Sequence, residues 1–241
     1  MRKAGRITAE VLDIMTKSVR PGVRTSDMDA IGIRELKRLG ATSSFKGYHG
    51  YPATVCTSVN DEIVHGIPGK RVLTEGDIVS LDFGVIYMGW QGDSAVTVGV
   101  GKISDEYRKL MEATKGALMA GISAAVDGAR LGDVSAAVQN YAESKGYAVI
   151  REYTGHGIGQ EMHEDPLIPN FGVPGTGPVL KKGMVLAIEP MLTTGDWHTR
   201  VGNDNWTVYT MSGKNAAHFE HTIAITDGAP EILTVKEGVH A

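Results

Sequence analysis

Gly76-Asp77-Ile78-Val79-Ser80-Leu81-Asp82 and Gly183-Met184-Val185-Leu186-Ala187-Ile188-Glu189 are versions of one another, each a glycine leading into an apolar run that closes on an acid. A run of β-branched and aliphatic residues reads as a strand buried on both faces, where an ionised carboxylate is costly unless something pairs with it. The match extends outward. Gly22, Arg24, Asp27 and Gly40 recur 106 positions later as Gly128, Arg130, Asp133 and Gly146, and the two strand segments lie 107 apart. One residue of drift over half the chain reads as a duplication, and repeats decide architecture before single motifs do. The expected fold is α+β: one domain over residues 1–241, made of pseudo-symmetric halves, about 1–101 and 102–241, each with two helices and a curved antiparallel sheet. Asp82 and Glu189 then occupy equivalent points about a pseudo-twofold axis, and a site is expected between the halves.

The remaining pattern fills this frame. Ile7, Val11, Ile14 and Met15 share a helical face that runs to Pro21-Gly22, and a second helix is expected from Thr25 or Ser26 to Gly40. Residues 52–59 read as a strand, and residues 78–87 with 90–100 as a hairpin turning near Tyr87-Met88-Gly89. Ser104 is the expected cap of a helix reaching about Val126, another helix opens at Gly132 or Asp133 and ends at Gly146, and strands return over 184–193 and 216–226.

Composition narrows the class. With 42% hydrophobic and 22% charged residues the chain is globular, and a net charge of −4 argues against a nucleic-acid footprint. The single cysteine, Cys56, excludes an internal disulfide and fits a reducing compartment. Residues 1–19 mix Arg2, Lys3, Arg6, Glu10, Asp13 and Lys17 with apolar residues, so they lack a signal-peptide core, and no segment approaches a membrane span. The expectation is a soluble cytoplasmic monomer.

The acids carry the chemistry. A two-residue turn at Tyr87-Met88 places Asp82 directly opposite Asp93, with Cβ atoms about 5 Å apart, and like charges so placed call for a cation. Glu189 and Glu220 occupy the matching strands of the second half, and His156 stands among glycines in Gly155-His156-Gly157-Ile158-Gly159 that let backbone approach closely. Four carboxylates and one imidazole without a thiolate suit Mn²⁺ or Fe²⁺ over tetrahedral zinc, with Co²⁺ as a laboratory substitute. Five such ligands are enough for two ions about 3.5–4 Å apart bridged by a water, a hydrolase design.

These residues and their neighbours resemble the type I methionine aminopeptidases, metallopeptidases of the pita-bread fold. The resemblance runs from Met1-Arg2-Lys3-Ala4-Gly5-Arg6 through Gly47-Tyr48-His49-Gly50-Tyr51-Pro52, Cys56-Thr57-Ser58-Val59-Asn60-Asp61-Glu62, His65-Gly66-Ile67-Pro68 and Leu81-Asp82-Phe83-Gly84. It continues through Gly92-Asp93-Ser94, Gly155-His156-Gly157-Ile158-Gly159, Met162-His163-Glu164-Asp165-Pro166, Ile188-Glu189-Pro190-Met191 and His218-Phe219-Glu220-His221-Thr222. It implies that Asp82, Asp93, His156, Glu189 and Glu220 ligate two metal ions, with Asp93 and Glu220 touching both, and that Glu189 moves protons. It also implies that His65 and His163 contact the scissile peptide, and that Tyr48, Tyr51, Cys56, Met162 and Trp206 form the methionine pocket, Met162 standing where many relatives carry Phe. The substrates implied are peptide and nascent-chain N-termini with a small second residue, with a ribosome encounter for which no motif is present. Relatives carry about ten or more residues before the segment matched by Met1–Gly5, which leaves an alternative start or a shortened N-terminus open. Two alternatives stand beside this reading: a non-catalytic pita-bread binding module, and an aminopeptidase that cleaves before proline, whose members carry an extra N-terminal domain.

Overall fold

Helix α1 (Arg2–Ser18) forms because Ile7, Val11 and Met15 recur at helical spacing, and all three are sealed from solvent. Helix α2 (Thr25–Leu39) stops at Gly40, which takes the left-handed conformation at φ 64°. Both pack on the first sheet, where Val79, Leu81 and Phe83 are wholly buried. Helices α3 (Asp105–Ala124) and α4 (Leu131–Ser144) pack in the same way on Leu186 and Ile188. Ser104 caps α3 as expected, its hydroxyl accepting the Tyr107 N–H at 3.2 Å. In this computed structural model residues 1–236 are described.

The spacing of 106–107 residues is the spacing of equivalent hydrogen bonds. Gly22 N–H donates to Leu73 C=O at 2.8 Å, and Gly128 N–H donates to Leu180 C=O at 2.9 Å. Leu73 N–H returns to Val23 at 2.8 Å, and Leu180 N–H to Ala129 at 2.7 Å. Asp27 accepts the N–H of Arg24 at the start of α2, and Asp133 accepts that of Arg130 at the start of α4. Gly76 and Gly183 share φ 93° ahead of the matching strands.

The strands differ from expectation in three places. The long hairpin pairs Ile78–Tyr87 with Trp90–Gly99, but Tyr87 faces Trp90, so the turn is Met88-Gly89. Both turn residues have positive φ, 50° and 79°, the geometry whose twist suits a two-residue hairpin. Asp82 therefore faces Ala95 and Asp93 faces Gly84. The two acids are diagonal neighbours on one face, about 7–8 Å apart between Cα atoms, rather than directly opposed. Second, the strand expected from residue 52 is Cys56–Val59 only. Thr54 instead gives its N–H and hydroxyl to Asp29 Oδ1, at 2.7 and 2.6 Å. Third, both strands of the second half break at their acids. Val185–Ile188 ends before Glu189-Pro190 and Met191–Thr193 follows in another sheet, since Pro190 has no N–H for a ladder. Ala216–His218 and His221–Ala224 are likewise separated by Phe219-Glu220, where Glu220 N–H turns to Ala95 C=O at 2.9 Å.

The second-half sheet runs Glu231–Ile232, His221–Ala224, Val185–Ile188, Thr154–Gly157, Glu164–Pro169, with antiparallel neighbours throughout. It joins the first half through backbone bonds such as Glu220 N–H to Ala95 C=O and Gln91 N–H to Gly159 C=O, and through side chains. Ser94 Oγ donates to Glu220 C=O at 2.6 Å, Thr97 Oγ1 donates to His218 C=O at 2.8 Å, and Thr222 Oγ1 binds Asp93 N–H and C=O at 3.0 and 2.7 Å. This seam carries the acids of both halves to one place. Among the described residues no helix is long and apolar enough to cross a membrane.

Candidate metal centre

His156 is brought to the seam by the Thr154–Gly157 strand, which lies between two others at close range. A Cβ on Gly155 would sit 2.3 Å from Ala187 O, and one on Gly157 would sit 2.2 Å from Asp165 O, so only glycine lets these strands meet around the imidazole. His156 Nδ1 lies 2.9 Å from Gly157 C=O, which can only accept. The ring proton is therefore on Nδ1, and Nε2 turns a lone pair toward Asp93 Oδ2 at 3.9 Å and Glu189 Oε1 at 3.7 Å. Acceptors facing acceptors need either a proton or a metal ion between them.

The carboxylates make the same demand. Asp93, His156 and Glu220, all buried, bring one donor atom each within 4.8 Å of one another. Asp82 Oδ1, Asp93 Oδ1 and Glu220 Oε1 are buried without a hydrogen-bond partner. Burial, and then the charge of neighbouring acids, pushes Asp82, Glu189 and Glu220 well above the carboxylate range, and burial pushes Asp93 up to about 7. Four acids so placed either bind protons or bind metal, and orphaned oxygens beside an imidazole lone pair fit hard divalent ions.

All twelve residues singled out in the sequence line one cavity of about 350 Å³. Its charged end holds Asp82, Asp93, His156, Glu189 and Glu220; its apolar end is built on Phe45, Tyr51, Cys56 and Met162, with Tyr48 and Trp206 packed against them. Trp206 meets Tyr51 edge-to-face at 5.1 Å. Between the ends stand His65, held by Tyr153 and Trp206, and His163, stacked on Tyr48 and bonded through Nδ1 to its hydroxyl at 2.7 Å. Burial lowers His65 and His156 to about 4, so both are neutral at pH 7.

Sequence reasoning passed over His218. It lies in a quoted motif, two residues from Glu220, and alternation along a strand was the signal available. Its ring is 1% exposed, neither ring nitrogen has a hydrogen-bond partner, and Nε2 is 3.5 Å from Glu189 Oε2.

Fold and site together define a metallopeptidase class: a buried carboxylate–imidazole cluster at one end of a peptide-sized cleft between two halves. The chain belongs to metallopeptidase family M24, whose profile matches residues 1–227. It is 52% identical over 238 residues to the methionine aminopeptidase of Clostridium acetobutylicum, covering 98% of this chain and 95% of that one. The crystal structure of methionine aminopeptidase from Thermotoga maritima superposes with a TM-score of 0.97 at 48% identity, covering 98% of this chain and 95% of that one. A Xaa-Pro dipeptidase from Bacillus anthracis superposes with a TM-score of 0.77 at 25% identity, and there this chain covers only 60% of the other. The fold is the pita-bread fold of these proteins.

Proposed function

We propose that this protein is a type I methionine aminopeptidase, removing N-terminal methionine from peptides and nascent chains in a metal-dependent hydrolysis. The observation that carries the reading is the single cavity with a cation-demanding end and an apolar end lined by aromatic rings and a second thioether. A methionine side chain is unbranched and polarizable, so an apolar slot with ring edges and Met162 favours it over charged or branched ends.

Asp82, Asp93, His156, Glu189 and Glu220 would hold two divalent ions, Fe²⁺ or Mn²⁺ in the cell and Co²⁺ in vitro, with Asp93 and Glu220 shared. When bound, such ions supply a Lewis acid and a nucleophile from water at neutral pH. Glu189, whose side chain is 15% exposed and reaches both metal cluster and cavity, takes the proton released on attack and passes it to the leaving amine. Once the Tyr48 hydroxyl donates to Nδ1, His163 carries its proton on Nε2 and can donate it toward the oxygen that gains charge. His65, neutral and fixed by ring packing, holds the substrate peptide from the opposite wall. A small second residue is favoured because the first peptide bond must sit between these histidines.

Action as a monomer is part of this reading. The setting proposed is the cytoplasm, at nascent-chain N-termini in encounter with the ribosome, with no membrane or nucleic-acid partner. A peptide ladder tests the reading: Met is released from Met-Ala-Ser and residues before proline are not. Release of proline-preceding residues alone, or no release at all with metal bound, would overturn it.

A further inference from the structure

Glu189 lies between two imidazoles of opposite sense. His156 meets its Oε1 with a lone pair, because the His156 proton is committed to Gly157 C=O at 2.9 Å. His218 meets its Oε2 from the other side at 3.5 Å. That ring is wholly buried, and both its nitrogens are otherwise unpartnered. A neutral imidazole carries one proton, and the Glu189 carboxylate faces Nε2, so a proton on Nε2 is the one with an acceptor before it. The backbone that carries the ring is held on both sides. Thr97 Oγ1 clamps the His218 backbone, accepting its N–H at 2.9 Å and donating to its C=O at 2.8 Å, while Met191 faces it across the sheet.

We propose that His218 is a positioning residue for the hydrolysis, donating from Nε2 to Glu189 Oε2 and so reserving Oε1 for the metal side of the carboxylate. At 3.5 Å the contact is longer than a formed hydrogen bond, as donor–acceptor pairs at catalytic sites often are before substrate is bound. On the counterpart acid, Asp82 Oδ1 is buried without a hydrogen-bond partner. Outer imidazoles and carboxylates of this kind fix the direction of a ligand's lone pairs, and their loss typically costs 10–100-fold in affinity or turnover.

This inference rests on the reading of Glu189 as ligand and proton carrier, and two variants separate the two claims. His218→Leu removes the donor at similar volume; His218→Gln restores an N–H of similar reach. With Mn²⁺ bound, the Leu variant is expected to lose roughly 10–100-fold in kcat on Met-Ala-Ser with KM within about twofold, and calorimetric Mn²⁺ affinity is expected to fall roughly tenfold. The Gln variant recovers most of both. Wild-type kcat and Mn²⁺ affinity in the Leu variant, or a Gln variant as impaired as Leu, overturns the proposal; His218→Met takes the place of Leu if Leu does not fold. If the wild type binds Mn²⁺ but releases no methionine, the functional reading fails, and the Mn²⁺ titration of the variants still decides the role of His218.

Discussion

The two halves agree at their outer edges and differ at their centre. The turns before α2 and α4 repeat the same backbone hydrogen bonds, the same acid cap and the same glycine geometry. At the seam, Asp82 sits in an unbroken ten-residue strand, whereas Glu189 and Glu220 sit at breaks between sheets. A shared frame thus holds two different kinds of acid. Asp82 is fixed by a ladder on both sides, while Glu189 projects from a break and keeps some exposure to the cavity. The proposed roles follow this difference, with Asp82 as a fixed ligand and Glu189 as a ligand that also moves protons.

The largest test of that difference is a matched pair of isosteric changes. Glu189→Gln removes ligand charge and proton carrier together and should lower kcat by roughly 10²–10⁴-fold, whereas Asp82→Asn should chiefly weaken Mn²⁺ binding, leaving kcat at saturating Mn²⁺ within about tenfold. Equal losses in kcat would mean that the halves are functionally equivalent after all.

A smaller effect tests their common feature, the crowding of acids. In the metal-free protein Asp93 is raised to about 7 and the other three acids are raised as well, so the folded state holds protons that the unfolded chain releases near pH 4. The stability that Asp93 contributes is fully present below about pH 4 and is lost as pH rises through about 7, and the other three acids act in the same direction. Stripped protein should therefore melt several degrees lower at pH 8 than at pH 5.5, and Mn²⁺ in excess should erase most of the difference. Calorimetry that shows a metal-free Tm rising over this range would contradict the clustering.

Much of this was legible in sequence, and what was not has physical causes. Helix ends were readable where Gly40 and Ser104 act locally, whereas the Asp27 and Asp133 caps were visible only as a repeat. The hairpin turn was misplaced by one residue because Met88 adopts positive φ, a conformation its side chain does not advertise. The strand breaks were missed because apolar character continues through them: Pro190 was the visible signal for one, and Phe219-Glu220 gave none. Four of the proposed ligands were visible as acids in strand-like runs and His156 as an imidazole among glycines, while the pocket residues and the roles of His65 and His163 came from resemblance alone. His218 carries no sequence signal beyond its spacing from Glu220, since its meaning depends on Glu189 standing at the break two residues before Met191, its partner across the sheet.

The smallest test returns to the frame. Asp27→Ala and Asp133→Ala should each lower the urea midpoint modestly without altering kcat, since each removes a cap far from the cavity. Asp133 should cost slightly more because it also accepts Gly175 N–H at 2.7 Å. A change in kcat from either would show that the outer frame reaches the site.

The most direct measurement is an anaerobic Mn²⁺ titration of metal-stripped protein, followed by release of methionine from Met-Ala-Ser, with His156→Ala in parallel. Release is expected to be absent without metal, to rise to saturation with Mn²⁺, and to stay at least roughly a thousandfold lower in the variant. Full release by stripped protein, or by His156→Ala, would contradict the account.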